Sequence, residues 1–392
     1  MANADVVAYN IAAFVAALFV LEFGADKFID HTAVVAHRTG IPQTIIGLLT
    51  AGGEWEELAV VVASLARNRT SLAIGNIVGS AISNILGAFS LGILFHNANQ
   101  TIQFDRSSRI YSLILLALTT FATPILYLPA RTVWLVSGCV LIAFFAVYIG
   151  TVGWAIAKGT LTAPEDSDDS SDDESSDAES TSDAIAETTS DSGNGNEHGT
   201  NGSAIFEPNE QTPLFVQADT PTTRTPAVLH RSKRRTLRYH IFSLLLGFLA
   251  ICLAGYVLSH AATTITDEFG ISDVLFGVVI LALATTLPEK FIAVLSGHRG
   301  HAGILVANTA GSNIFLLTLC AGIVMLDTKG SFERGSVNVA ELGVLWGSTV
   351  AFTATVWFGR RFCRWIGLAM LGAYVVFIML EFTVIHGVAN GE

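Results

Sequence analysis

The chain alternates long apolar stretches with short polar connections. Apolar windows fall at about 6–24, 43–65, 71–95, 109–128, 132–156, 239–261, 273–296, 302–326, 338–357 and 363–385. Each is long enough to cross a hydrocarbon core of roughly 30 Å, which takes about 20 helical residues. Helices suit this environment because they satisfy their own backbone hydrogen bonds where lipid offers none. The pattern predicts an all-α polytopic membrane protein of about ten transmembrane helices. Five lie on each side of one long polar segment.

That segment contains "APEDSDDSSDDESSDAESTSDAIAETTSDSGNGNEHG", from Ala163 to Gly199, rich in Ser, Asp and Glu and poor in large apolar residues. Such a composition buries too little surface to offset the entropy of ordering. The expected division is a first five-helix unit at 1–159, a disordered acidic loop at 160–235 and a second five-helix unit at 236–392. Most of the acid behind the net charge of −12 lies in the loop, so the charge does not by itself imply a cationic partner. Calcium sensing or phosphorylation, with regulatory partners, is the sharper reading of this loop.

Lys158 and the cluster Arg231, Lys233, Arg234, Arg235 and Arg238 flank the loop. By the positive-inside rule the loop is cytoplasmic and both termini are not. Because each unit has an odd number of spans, the two units have opposite orientations.

Composition narrows the class. Of 392 residues, 51% are hydrophobic and 14% charged, which excludes an ordinary water-soluble domain. Cys139, Cys252, Cys320 and Cys363 lack metal-type spacing and read as small core residues. The first apolar run has no basic leader and reads as a retained span. Phosphate-binding loops, nucleophile elbows and metalloprotease helices are missing from the sequence, which disfavours an ATP-driven pump or a membrane hydrolase. Neither a cofactor, nor nucleic acid, nor covalent catalysis is expected; the expected partners are membrane lipid and mono- and divalent cations.

The segment "TAGGEWEELAVV", Thr50 to Val61, places Glu54, Glu56 and Glu57 inside an apolar run. Carboxylates are costly in hydrocarbon and mark sites that face protein or ions. The region around them repeats. "EWEELAVVVASLARNRTSLAIGNIVGSAISNIL" (Glu54 to Leu86) aligns without a gap on "TLPEKFIAVLSGHRGHAGILVANTAGSNIFLLT" (Thr286 to Thr318) at an offset of 232 residues. Glu57 then meets Glu289, Asn76 meets Asn308, Gly79 meets Gly311 and Ser80 meets Ser312. Related halves of opposite orientation, with a site between them, form a transporter architecture.

"ATTLPE" followed by "ANTAGSN" resembles the second alpha-repeat of the cation/calcium exchanger superfamily, and "GGEWEE" followed by "GNIVGSAISN" resembles a divergent first repeat. The resemblance implies ten helices in two inverted repeats, with an ion site formed by the second, third, seventh and eighth. It also implies that Glu57 and Glu289 are the central ion-binding glutamates, that Ser80, Asn84 and Ser312 are polar site residues, and that Thr285 and Thr286 supply hydroxyls. A hard cation such as calcium, needing about 6–8 oxygens, suits this set.

The family pattern is broken in three ways, at four positions. Leu316 stands where an acid or amide is common, Gly53 and Glu54 replace the usual Thr and Ser, and Lys290 follows Glu289. Glu54, three residues before Glu57, is expected to point to the same helix face and to replace the carboxylate missing at Leu316. Glu56, about 100° round the helix, is expected to contact a basic residue or interfacial water, with Lys290 as a partner. Gly52, Gly53 and Pro288 are expected to free backbone carbonyls toward the ion.

The resulting expectation is a secondary active antiporter that exchanges calcium or a related divalent cation for sodium or protons by alternating access. The rival is a non-transporting calcium-binding membrane sensor or scaffold. Both the plasma membrane and an intracellular membrane of vacuolar or endoplasmic-reticulum type are compatible with the sequence.

Overall fold

A computed structural model describes residues 4–38, 54–96, 102–128, 130–157, 237–328, 337–359 and 362–385. The acidic segment, the first part of the second apolar window and Gly52–Gly53 lie outside them. The described residues form helices joined by short turns, without strands. The elements are α1 (Ala4–Arg38), α2 (Trp55–Ala66), α3 (Thr70–Leu94), α4 (Arg106–Tyr127), α5 (Arg131–Ala157), α6 (Leu237–Phe269), α7 (Asp273–Thr285), α8 (Leu287–His298), α9 (Ala302–Asp327), α10 (Val339–Phe358) and α11 (Cys363–Ile385). Eight are long and apolar enough to cross a membrane, and α7 with α8 makes a ninth span bent by 49°. The remaining predicted span is represented by α2.

The two halves obey one plan, and the turns show it most directly. Asn68, between α2 and α3, has φ +60°, and Gly300, between α8 and α9, has φ +79°. They are 232 residues apart. The backbone bonds around them match at the same offset: Asn68 N donates to Leu65 O and Arg69 N to Ser64 O, while Gly300 N donates to Gly297 O and His301 N to Ser296 O. A left-handed residue closing a helix in this way is a common terminator, and asparagine and glycine tolerate it best. The wide π-helical turns also correspond, at Ser83–Phe89 in α3 and Leu316–Cys320 in α9.

Packing follows the same exchange. The fifth helix of each half packs on the third helix of the other: Gly367 of α11 meets Ser90 of α3, and Gly138 of α5 meets Gly322 of α9. Helices α1 and α6 are antiparallel partners, with Gly24 against Ile251, Phe28 against Phe248 and His31 against His240. Helices α4 and α10 pair likewise, through Thr119 with Thr349 and Ser112 with Thr353.

Burial separates inner from outer helices. In the most apolar stretch of α3 and α9, 89% and 83% of positions are buried, against 28% or less in α1, α5, α6 and α11. The outer helices expose Phe19, Phe144, Phe242 and Trp365, as lipid-facing surfaces do. Helices α3 and α7 approach backbone to backbone. A Cβ on Gly79 would lie 2.3 Å from Val278 O, and one on Gly277 would lie 2.8 Å from Leu72 O. Small residues at such crossings let dispersion contacts replace the hydrophobic driving force that lipid removes. This approach brings the polar face of α3 to the α7–α8 bend.

Candidate functional site

The site is built from two equivalent helix starts facing the middle of α3. Glu54 is the residue before α2, with non-helical φ −77° and ψ 73°, and Glu56 and Glu57 lie in the first turn. Thr286 is the corresponding residue before α8, with Pro288 and Glu289 in its first turn. Unpaired N–H groups and the helix dipole favour carboxylates at both places. Proline is tolerated there because the first turn has no N–H partner to lose.

Asn76, Ser80 and Asn84 recur every four residues and form the polar face of α3. Glu57, fully buried, accepts at Oε1 from Ser80 Oγ at 2.8 Å and from Thr285 Oγ1 at 2.6 Å, and at Oε2 from Asn76 Nδ2. One carboxylate therefore joins α2, α3 and α7. Asn84 Nδ2 lies 3.5 Å from Glu54 Oε1, and Ser312 is buried beside Glu54.

Carboxylate oxygens of Glu54, Glu56 and Glu289 lie within 4.8 Å of one another; Glu54 and Glu289 are buried, and Glu56 is half-buried as a whole residue. Glu54 Oε2, Glu289 Oε2 and Asn84 Oδ1 are buried acceptors without a hydrogen-bond donor. Buried polar atoms are ordinarily satisfied, so converging acceptors of this kind form an environment suited to a cation. Thr286 faces the other way: its Oγ1 lies 2.9 Å from Ser83 Oγ and accepts from Lys290 Nζ.

One expectation requires correction. Glu56 does not pair with Lys290, whose ammonium bonds Ser83 and Thr286; it joins Glu54 and Glu289 instead. Glu54 precedes α2, which begins at Trp55, and its carboxylate meets the same face of α3 as that of Glu57, through Asn84 rather than Asn76 and Ser80. Leu316 is buried in the apolar core. Asn76, Glu56, Ser83, Lys290 and Tyr374 complete the polar assembly beyond the residues expected from the motifs. For Asn76 a signal was present: it falls in the repeat match and four residues before Ser80. The roles of Ser83 and Tyr374 depend on contacts 203 and 291 residues distant in the chain.

Comparison with known proteins agrees with this architecture. The family described as "Sodium/calcium exchanger protein" matches residues 9–154 and 239–383, on both sides of the acidic segment. The putative antiporter CaxA of Alkalimonas amylolytica is 23% identical over 375 residues, covering 93% of this chain and 96% of that protein. Among solved structures, native YfkE superposes with a TM-score of 0.60 at 13% identity, covering 96% of this chain and 92% of that one. The sodium–calcium exchanger NCX_Mj, from a crystal soaked with sodium and strontium, gives 0.52 at 18% identity, with 95% and 99% covered. Those two likenesses concern the fold. With both halves matched, the chain belongs to the sodium/calcium exchanger protein family of multi-pass integral membrane proteins.

Proposed function

We propose that the protein is a secondary active antiporter that carries calcium, or a related divalent cation, against sodium or protons by alternating access. The observation that carries this reading is the group of three buried carboxylates within 4.8 Å, two of them with unpartnered oxygens, between two inverted repeats. Glu54, Glu56 and Glu289 supply charge, while Glu57, Ser80, Asn84, Thr285 and Ser312 supply further oxygens or hold the charged ligands in place, and Thr286 is turned to Lys290 instead. This set meets the demand of calcium for about 6–8 hard oxygen ligands.

Coupling follows from competition. The divalent ion and its counter-ions use the same carboxylates, so one must leave before the other binds. An uncompensated acidic cluster is too costly to carry through the low-dielectric interior, and the transporter changes access only when the charge is balanced. Calcium uptake into proteoliposomes tests the proposal, first under an imposed sodium gradient and then under a proton gradient. One gradient should drive uptake above the gradient-free control. Calcium binding with neither gradient driving flux would instead favour a sensor.

A further inference from the structure

We propose that Lys290 is a tethered monovalent cation, its ammonium filling an all-oxygen pocket beside the carboxylate cluster and taking the place of one monovalent counter-ion. The inference rests on the antiporter reading above and concerns how many ions that antiporter binds.

The pocket is specific in its chemistry. Lys290 Nζ donates to Ser83 Oγ at 2.9 Å, to the Thr286 backbone O at 3.0 Å and to Thr286 Oγ1. Tyr374, from α11, closes it by donating to Ser83 Oγ at 2.9 Å. The oxygens are hydroxyl and carbonyl, the neutral ligands that hard cations accept. They come from the π-helical turn of α3 and the α7–α8 bend, with Tyr374 of α11 behind Ser83, so the pocket is assembled across both halves. Gly87 leaves room for the stem: a Cβ there would lie 3.2 Å from Lys290 Cε.

The alternative is that Lys290 merely neutralises an acid. A buried lysine serving that purpose is expected to hold a carboxylate directly, since a charge removed from water needs a paired and hydrogen-bonded partner. Among the described residues no salt bridge to Lys290 occurs within 4 Å, although Glu289 precedes it in the chain. Its three donors are instead spent on neutral oxygens, matching the three N–H groups of an ammonium. The ammonium thus has the first shell of a bound monovalent ion, and its positive charge remains next to the acidic cluster whichever ions come and go.

The experiment counts sodium ions. Purified parent, Lys290→Ala and Lys290→Ser are equilibrated with radioactive sodium, and their thermal midpoints are compared in sodium chloride and choline chloride at equal ionic strength. The expected result is one more sodium bound per chain in either folded variant than in the parent. Sodium should also raise the variant's midpoint more than the parent's, because a ligand that binds only the folded state stabilises it. Adding Ser83→Ala should abolish the extra ion. A folded variant that binds no additional sodium overturns the proposal, and so does failure of both variants to fold in high sodium, since the ion then does not replace the ammonium. Gradient-driven calcium uptake by the parent is measured in parallel. If the parent shows none, the antiporter reading falls; if the parent transports and the variants gain no sodium, only the assignment of Lys290 falls.

Discussion

Glu54, Glu56 and Glu57 lie within four residues of sequence but have different surroundings. Glu57 is held by Asn76, Ser80 and Thr285, whereas Glu54 and Glu56 gather with Glu289. The difference follows from where α2 starts. Glu54 precedes the helix with non-helical dihedrals, and its carboxylate lies at Asn84, one turn along α3 from the Ser80 that holds Glu57. The acids themselves were legible in the sequence as expensive groups in an apolar run. Their division between two environments was not, because it depends on one backbone ψ angle and on side chains from another helix. Removing a charge from the three-carboxylate group should weaken divalent transport, so Glu56→Gln and Glu54→Ser should each lower uptake by at least tenfold, about 1.4 kcal/mol of lost ion binding. Leu316→Asp should restore part of the loss in Glu54→Ser. Uptake at subsaturating calcium checks both, and parent-like transport by Glu56→Gln would remove that residue from the ligand set.

At the scale of elements, the apolar windows located the spans well because membrane thickness sets their length. They could not reveal that α1 continues to Arg38 and α6 to Phe269, since polar residues end a hydropathy window without ending a helix. Nor could they reveal the π-helical turns, which depend on packing against neighbours. The glycines carried more information than their composition suggested. Gly79 lets α3 touch α7, and Glu57 of α2 accepts from both of them, from Ser80 of α3 and Thr285 of α7. Gly79→Ala should separate the two helices, lower stability by about 1–3 kcal/mol and weaken ion binding with it. Gly343, in α10, has no heavy atom within 4 Å of an added Cβ. Gly343→Ala should be neutral or stabilise the helix by up to about 1 kcal/mol. Thermal midpoints of the two solubilised variants give the comparison; equal effects would contradict the assigned close approach.

On the scale of the whole molecule, two halves related by an offset of 232 residues enclose one polar centre. Glu57 with Glu289 and Asn68 with Gly300 express that relation at the site and at a turn. The repeat was readable from sequence because both copies kept their small and polar residues in register. The pocket around Lys290 was not, since Ser83, Thr286 and Tyr374 meet only after the halves assemble. The family match stops at 154 and resumes at 239, which leaves the acidic segment outside both matched regions. Deleting Asp166 to Thr220 should therefore leave gradient-driven transport measurable. Loss of transport in a deletion protein that still inserts would make the segment part of the transport machinery.

Coupled divalent flux through these buried carboxylates is read by calcium uptake into proteoliposomes containing the parent, Glu57→Gln or Glu289→Gln, under whichever gradient drives the parent. Insertion and monodispersity are matched across the three proteins. Both substitutions should abolish gradient-driven uptake while leaving the folded protein intact, because Glu57 ties three helices together at the site and Glu289 contributes an unpartnered oxygen to the cluster. Near-parent uptake by either variant would mean that the flux does not depend on that carboxylate.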